Sequence, residues 1–505
     1  MPVTLEEIAR DLRCPLPPGA GAGLVTGVAA DSRAVRPGTL WFALPGRQNH
    51  GLDFEEQARR RGAVAVVSDR PARTLPTLVT AAPRAALGPL AARLHGHPSR
   101  HLPVFGVTGT NGKTSTTYLL DAGLAGAGIP SGLLGGIVAR TPARSEPATR
   151  TTPEADVIAR HLARCRADGA RAAVLEVSSH GLTEHRVDGT HFACAAFTGL
   201  ARDHLDHHGS MERYFAAKAA LFDPARSERA VIAVDDAWGL RLAGQVRLPT
   251  VTCGTTPGTA ADWRATDIRA ELTGTRFRAH GPGGSFPVRL RLLGTHQARN
   301  ALTALAVLAG AGIDPEAAAA GMAELGVVPG RLERVDAGQD FLAFVDYAHN
   351  EDGQRAVLAW ARSRTAGRLI VVIGATGDRD AGKRAALGRT AAHRADLVVV
   401  TDESPERESA SELRHQVLAG AAGGETVEIA DRAAAIRHAI AAARPGDLVL
   451  LAGRGADTVQ RYATATRHFD DRAELAAALA EHRPQLSGPA AIRTGDGSSP
   501  ERRPA

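Results

Sequence analysis

The chain has 505 residues, and at roughly 150 residues per domain that length predicts about three domains. Sixty Lys and Arg against 54 Asp and Glu give a formal charge of +6, and 44% hydrophobic residues supply ample core material, which excludes gross disorder and a disulfide-stapled miniprotein. Aromatics make up only 4%, too few for base-stacking platforms; no nucleic-acid partner is expected, and an anionic small substrate accounts for the basic balance.

At the N-terminus, MPVTLEEIARDL has acids where a secretory leader needs a basic start and an apolar run, and nowhere do about 18 uncharged apolar residues follow one another. No leader, membrane span or membrane partner is expected, and the chain reads as cytoplasmic. From Val25 to Pro45 short apolar runs alternate with Gly and Pro turns; FEEQARRRGAVAVVSD then predicts a helix followed by a buried strand. The polar HGHPSRHLP, His95 to Pro103, interrupts this periodicity and bounds a first domain over 1–98. A second domain over 99–328 opens with the strand VFGVTG and the helix STTYLLDAGLAGAG. Strands AAVLEVSS, FACAAFTGL and RAVIAVDD follow, the alternation of a helix-covered parallel sheet. Val251 to Leu293 reads as a β-rich insertion, closed by an Ala-rich helix from Gln297 to Ala309. In a third α/β unit over 329–485, strands FLAFVDYAH, LIVVIGA, DLVVVTD and DLVLLAG alternate with Ala/Arg helices. The polar, Pro/Gly-rich remainder, 486–505, reads as a disordered tail. Cys14, Cys165, Cys194 and Cys253 show no C-x-x-C spacing and are expected to be small hydrophobes in a reducing compartment.

Val104 to Thr117, VFGVTGTNGKTSTT, sets a glycine-rich turn between an apolar strand and a helix start. Backbone N–H groups at such a start can cradle phosphate, the Lys113 ammonium would meet β/γ-phosphate charge, and the Thr114 hydroxyl can ligate Mg²⁺. The longer spacing G-x-x-x-x-G-K is not met. The loop is the short G-T-N-G-K-T: Gly109, Thr110, Asn111, Gly112, Lys113 and Thr114.

That short loop, together with DSRAVRPGTLWFALPG (Asp31 to Gly46), TTPEA, LEVSSHGL, DHLDHHGSMERYFAAKAALF, PGRLE, DYAH and GDRDAGKR in this order, resembles the Mur ligases over most of the chain. The likeness is greatest to the branch that adds the third residue of the peptidoglycan stem. It implies a three-domain α/β architecture: a UDP-substrate domain, a central P-loop parallel-sheet ATPase domain, and a Rossmann-like C-terminal domain that binds the amino acid. The implied activity is ATP-dependent amide formation, in which a carboxylate attacks the γ-phosphate, an acyl phosphate forms, and an amine displaces phosphate. The substrates would be UDP-N-acetylmuramoyl-L-Ala-D-Glu and an amino acid, expected to be a diamino acid; ATP and Mg²⁺ are the implied cofactors, and the enzyme would be a monomer.

The resemblance also implies roles. Glu176, at a strand end, would hold Mg²⁺ with Thr114, and His204 a second Mg²⁺, although on composition alone His204 is one of three crowded histidines with His207 and His208. Lys218 in YFAAKAALF would by default snorkel to solvent. The family's lysine at this place is carbamylated, which turns a cation into an anionic oxygen ligand; Lys113, Glu176, His204 and Lys218 form the implied catalytic set. Asn300, Arg331 and Asp346 would contact the nucleotide, the last two from across a domain boundary, so that the third domain closes on the second before chemistry. On the residues alone, Asp346 could instead cap a helix and Arg331 be a linker charge. Ser32, Arg33, Thr151, Thr152, Ser178 and Arg186 match contacts for the UDP-sugar, while TTPE also reads as a helix start capped by threonine. Arg379, Glu403, Glu406, Gly453 and Asp457 would line the amino-acid pocket.

Departures from the family pattern gather in that pocket. Gln297 stands for the usual Asn near the adenine, a mild change, but GRGAD (Gly453 to Asp457) stands for G-K-G-H-E. TDESPER puts Glu406 at the arginine of the D-N-P-R found in diaminopimelate-adding members. Two like charges ~4 Å apart at an effective dielectric of ~20 repel by about 4 kcal/mol before screening, so the distal carboxylate of diaminopimelate should be disfavoured and a lysine or ornithine preferred. Arg379 would keep the α-carboxylate; a one-residue shift of Arg407 is the alternative. Two other readings stand beside the cell-wall ligase: a paralogue forming an amide on another carboxylate in secondary metabolism, and a catalytically silent binding module, which the intact catalytic set argues against.

Overall fold

The computed structural model describes residues 3–16, 20, 23–46 and 49–482, so the expected tail at 486–505 lies outside the described residues. In the first unit, strands Gly27–Ala29, Thr39–Phe42, Ala63–Ser68 and Thr77–Val79 lie parallel in chain order. Leu40, Phe42, Ala65 and Val67 pack against Leu87, Leu90 and Ala91 of the helix Pro83–Leu94. The same core takes in Ala155 and Ala159 of the helix Ala155–Ala167, tying the first unit to the second.

The central sheet has eleven strands. Seven neighbours run parallel in the spatial order Ser131–Leu134, Ala172–Glu176, Val104–Thr108, Cys194–Phe197, Ala230–Ala233, Thr250–Gly254 and Trp263–Glu271. Val104–Thr108 comes first of these in sequence yet lies inside the sheet, so the chain departs to both sides of it and a crevice opens at its C-terminal end. Its five residues are all buried, as helices covering both faces require, which is why the segment is apolar without alternation. Two antiparallel strands, Val138–Thr141 and Arg144–Pro147, extend one end of the sheet and were not expected.

At the other end the expected insertion is an antiparallel meander continuous with the sheet: Trp263–Glu271, Gly274–Gly281 and Gly284–Leu290. Its alternating residues Phe277, Ala279, Val288 and Leu290 face the core shared with the helix His296–Gly310. A further helix, Pro315–Glu324, joins that core through Ala318, Ala319 and Met322.

The third unit has a six-stranded sheet in the order Glu333–Arg334, Leu342–Asp346, Leu448–Ala452, Leu369–Ile373, Leu397–Val400 and Thr426–Glu428, parallel except for the first strand. Loops leaving the C-terminal ends of its inner strands meet the crevice of the central sheet. Among the described residues no helix is long and apolar enough to cross a membrane. Cys165, Cys194 and Cys253 are buried, as small hydrophobes should be, and Cys14 is half-buried.

Candidate active site

The turn after Val104–Thr108 is fixed by the neighbouring strand. The Thr110 N–H donates to the Gly199 carbonyl at 2.9 Å, and the Thr198 hydroxyl donates to the Asn111 carbonyl at 2.6 Å. Gly112 begins the helix Lys113–Gly126 with φ +88°, and a Cβ there would sit 2.4 Å from the Asn300 Oδ1; only glycine fits. The Lys113 Nζ curls back to donate to the carbonyls of Gly109 at 3.0 Å and Thr110 at 2.8 Å. Thr110 to Ser115, His296, Arg299, Asn300, Arg331 and Asp346 to His349 line one cleft, so all expected nucleotide contacts except Gly109 border the same space. Gln297 does not. It is fully buried behind the cleft, where its Oε1 accepts from the Asn300 Nδ2 at 3.0 Å, so it positions Asn300 rather than meeting a base.

Lys218 corrects the expectation of a snorkelling lysine. Its side chain is 1% exposed, lies 4.7 Å from the Tyr214 ring centroid, and donates to the same Gly109 carbonyl as Lys113, at 2.7 Å. Burial, then the neighbouring Lys113 charge, hold its pKa well below the ordinary lysine value. The shift favours the neutral amine, which is the form that adds CO₂. Lys113 is also pushed down by burial, with Glu176 opposing. Beside them the Thr114 Oγ1 donates to the Glu176 Oε2 at 3.2 Å, bringing two hard oxygens together, a donor set suited to Mg²⁺.

The three crowded histidines separate. The His208 Nε2 pairs with the Ser179 hydroxyl at 2.9 Å, and the His207 Nε2 with the Thr183 hydroxyl at 3.0 Å. The His204 Nδ1 is buried without a hydrogen-bond partner. Burial holds the His204 imidazole well below its ordinary pKa, which favours the neutral ring whose lone pair can meet a cation.

The third unit reaches over this group. The Arg331 Nη2 donates to the Thr114 Oγ1 at 3.0 Å while the guanidinium lies over the Tyr347 ring at 4.3 Å. Asp346 accepts from the N–H groups of Leu332 at 2.7 Å and Ala348 at 2.8 Å; it caps no helix, that place being taken by Asn350. Asn111 and Asn350 exchange side-chain hydrogen bonds at 3.0 and 3.1 Å across the boundary.

Sequence reasoning missed Asp203, the centre of this junction. Its carboxylate meets the Lys383 Nζ, the His349 Nε2 and the Asn350 Nδ2, each at 3.2 Å. Burial alone would raise its pKa, but Lys383, His204 and His349 hold it well below the ordinary value. Its presence in ARDHLDHHG, one residue before His204, was the available signal.

On the other side of the crevice the expected UDP-sugar residues divide. The Ser32 hydroxyl is spent on the Gln57 Oε1 at 2.6 Å, and exposed Arg33 pairs with Asp31 at 2.7 Å. Thr152 is 1% exposed: its hydroxyl donates to the Glu176 carbonyl and accepts from the Ser178 N–H, both at 2.9 Å. Thr152 therefore cannot reach a ligand and does not cap the following helix, whose N-cap is Glu154; it fixes the Glu176 strand end instead. Ser178 caps the short helix Ser179–Thr183, accepting from the Gly181 N–H at 3.0 Å, and Thr151 stays half-buried at the surface. Arg186 donates to the Thr152 carbonyl at 3.1 Å and lies 3.4 Å from Glu154, which also binds Arg84 of the first unit at 3.0 Å.

The expected amino-acid residues come from three separate loops, Arg379 from one, Glu403 and Glu406 from the next, and Gly453 and Asp457 from the last. The Glu403 Oε1 accepts from the Thr376 hydroxyl at 2.5 Å, while its Oε2 is buried without a partner. Gly453, at φ +111°, brings its backbone so close that a Cβ would lie 2.6 Å from that oxygen. Asp457 sits at an exposed turn; its protein surroundings and the Glu403 charge raise its pKa against the pull of Arg454. Glu406, at φ +54°, lies 3.7 Å from the Arg461 guanidinium, a partner that sequence reasoning missed. Arg407 turns away to Asp378 at 2.8 Å, so the one-residue shift does not occur, and Arg379 is exposed on the cleft side near His180. Arg454 is 1% exposed and donates to the carbonyls of Glu403, Asp457 and Phe469 at 3.0 to 3.3 Å. It braces the pocket from behind.

Three family models match successive stretches of the chain: the Mur ligase family catalytic domain over 24–99, the Mur ligase middle domain over 107–308, and the Mur ligase glutamate ligase domain over 330–455. The UDP-N-acetylmuramoyl-L-alanyl-D-glutamate–2,6-diaminopimelate ligase of Streptomyces coelicolor is 43% identical over 488 residues, covering 94% of this chain and 96% of that protein. A UDP-N-acetylmuramyl-tripeptide synthetase of Leifsonia xyli is 42% identical over 472 residues, covering 90% and 92%. A solved 2,6-diaminopimelate ligase matches with TM-score 0.65 at 30% identity over 96% of this chain and 100% of that one. The Thermotoga maritima MurF ligase in complex with ADP shares the fold, with TM-score 0.62 at 20% identity over 90% and 96%.

Proposed function

This chain belongs to the Mur ligase family, and from that premise we propose that it uses ATP to join a diamino acid to the D-Glu carboxylate of UDP-N-acetylmuramoyl-L-Ala-D-Glu. The observation that carries the reading is the convergence of the Lys113 and Lys218 side chains on the Gly109 carbonyl, beside Thr114 and Glu176 and beneath Arg331. A polyanion and its metal ions account for this gathering of Lys113, Arg331 and hard oxygens around one glycine turn.

In this reading the loop N–H groups and Lys113 bind the β- and γ-phosphates, and Arg331 adds a positive charge where the phosphoryl group is transferred. Mg²⁺, held by Thr114 with Glu176 and by His204 with carbamylated Lys218, would neutralise phosphate charge. After carbamylation the Lys218 nitrogen keeps one N–H, enough to maintain its bond to Gly109. Arg186 and Thr151 face the UDP-sugar with Ser178, while Ser32 and Arg33 shape the first domain's contribution. The Asp203 junction with Lys383, His349 and Asn350 holds the third domain closed, which keeps water from the acyl phosphate until the amine arrives.

For the incoming amino acid, Arg379 suits the α-carboxylate, and the unpartnered Glu403 oxygen with Asp457 suits a cationic distal amine. The named relatives that take 2,6-diaminopimelate set the alternative tail. Glu406 still faces the place of a distal carboxylate, but Arg461 offsets its charge, so the penalty on diaminopimelate is smaller than an isolated Glu406 would impose. A phosphate-release assay with UDP-N-acetylmuramoyl-dipeptide, ATP and a panel of amino acids tests the reading: turnover dependent on both the dipeptide and a diamino acid is expected. Turnover only with another carboxylate would make the chain a paralogue of different pathway.

A further inference from the structure

The meander that ends the central sheet has one face packed on the core and one face in water. On the outer face Arg269 lies directly opposite Arg276, and Arg276 directly opposite Arg289. Arg278 and Arg264 occupy the same face by register, Arg264 opposite His280. All five arginines are exposed. Arg276 is paired with Glu271 at 2.8 Å, and Arg278 reaches the Ser285 hydroxyl at 3.3 Å; Arg264, Arg269 and Arg289 make no ion pair among the described residues. The nearby carboxylates are Glu271, Asp267 at the bulge between Thr266 and Arg269, and Asp262 before the first strand, which is bonded to Thr252 at 2.8 Å. Like charges placed directly opposite one another destabilise a sheet. A negatively charged surface laid against them would reverse that cost.

We propose that this face docks the enzyme on an anionic lipid bilayer. The strands are 9, 8 and 7 residues long, which makes the face roughly 25 Å by 10 Å, open except at its Arg269 end, where a cavity is shared with Trp360 and Ser363 of the third unit. Trp263, Phe277 and Phe286 take the opposite register and turn inward, so apart from the His280 imidazole, which pairs with the Thr266 hydroxyl at 2.9 Å, single-stranded nucleic acid finds no ring to stack on. A planar array of headgroup phosphates is the partner that remains, bound by charge alone. The outermost strand of the meander stands six strand spacings, roughly 29 Å, from the strand that carries the phosphate loop, so docking there leaves the cleft open to soluble substrates. The expectation of no membrane partner rested on the absence of a leader and of a long apolar run, neither of which reports on arginines that are scattered in sequence and meet only through strand register.

The test is flotation of the full chain with vesicles of phosphatidylglycerol and phosphatidylcholine, or of phosphatidylcholine alone, at low and high salt. Binding to the anionic vesicles that is lost at high salt, and absent with the neutral ones, is expected. Each arginine near such a surface is worth roughly five-fold in partitioning, so the triple variant Arg264→Gln, Arg278→Gln, Arg289→Gln should partition about 100-fold more weakly. Its melting temperature should not fall, since Arg289 no longer opposes Arg276, and its turnover of soluble substrates should be unchanged. A control variant of exposed arginines elsewhere, Arg60→Gln with Arg355→Gln, should partition within a few-fold of the parent. Equal binding by the triple variant and the parent overturns the proposal, as does no vesicle binding at low salt. Tighter binding to duplex or single-stranded DNA than to anionic vesicles, weakened by the same three substitutions, would assign the face to nucleic acid instead.

Discussion

The phosphate loop of the central sheet and the proposed amino-acid pocket of the third sheet are built in opposite ways. The loop takes its charge from six consecutive residues and two neighbours, Glu176 and Lys218, all anchored on the Val104–Thr108 strand and its partner strands. The proposed pocket draws its residues from the ends of three strands of the third sheet, and its balance of charge depends on pairings between distant segments, as Glu406 with Arg461 shows. A site made of contiguous chain tolerates little change, because each backbone N–H and carbonyl has a place in the turn. A site assembled from separate loops can exchange side chains one at a time, and it is there that this chain departs from its family.

The sharpest way to break the loop side is Lys113→Ala. One preorganised charge on a transferring phosphoryl group is worth about 3–4 kcal/mol, so kcat should fall by about 10³-fold while the melting temperature holds. Near-normal turnover by the folded variant would remove the loop from the mechanism. Lys218→Ala should lose at least ~10²-fold, and added acetate or formate should restore part of it by supplying the missing oxygen ligand. Mass measurement of active enzyme showing Lys218 unmodified, with no dependence of rate on bicarbonate, would contradict the carbamate.

Between the two regions stands the Asp203 junction. Replacing Lys383 by Met removes the partner of a buried carboxylate, which destabilises the closed arrangement but not the separate domains. We expect kcat/KM to drop by roughly 30-fold, about 2 kcal/mol, with thermal unfolding little changed; a large fall in melting temperature would make the pair structural. The smallest effect tests the pocket. Lysine or ornithine should exceed meso-diaminopimelate in kcat/KM by about tenfold, less than the roughly three decades of an unpaired Glu406, because Arg461 offsets most of the repulsion. Glu406→Gln frees Arg461 for a distal carboxylate and should move the preference towards diaminopimelate; no movement would place Glu406 outside the pocket.

What the sequence could show follows the same division. Val104–Thr108 and Leu448–Ala452 were plain as buried strands because helices cover both faces and every residue must be apolar. The phosphate loop was plain because its geometry is local. Lys218 was misread from its own residues, since Tyr214 and the Gly109 carbonyl approach it only in the fold. Thr152 was misread for a similar reason: a Thr-Thr-Pro run looks like a helix start, but its hydroxyl is committed to Glu176 and Ser178. Arg461 carried no pattern of its own, and the motifs that hold Asp203 and Arg454 gave no role to either, because each acts through a partner far away in the chain.

The central claim is that a substrate carboxylate is activated as an acyl phosphate in this cleft, and isotope transfer tests it most directly. UDP-N-acetylmuramoyl-L-Ala-D-Glu labelled with ¹⁸O in the γ-carboxyl group of D-Glu is turned over with ATP and a diamino acid, and the released phosphate is analysed by mass. The account predicts one ¹⁸O in each phosphate, because the oxygen that attacks the γ-phosphorus leaves with it when the amine displaces phosphate. Phosphate free of label alongside labelled amide product would contradict it.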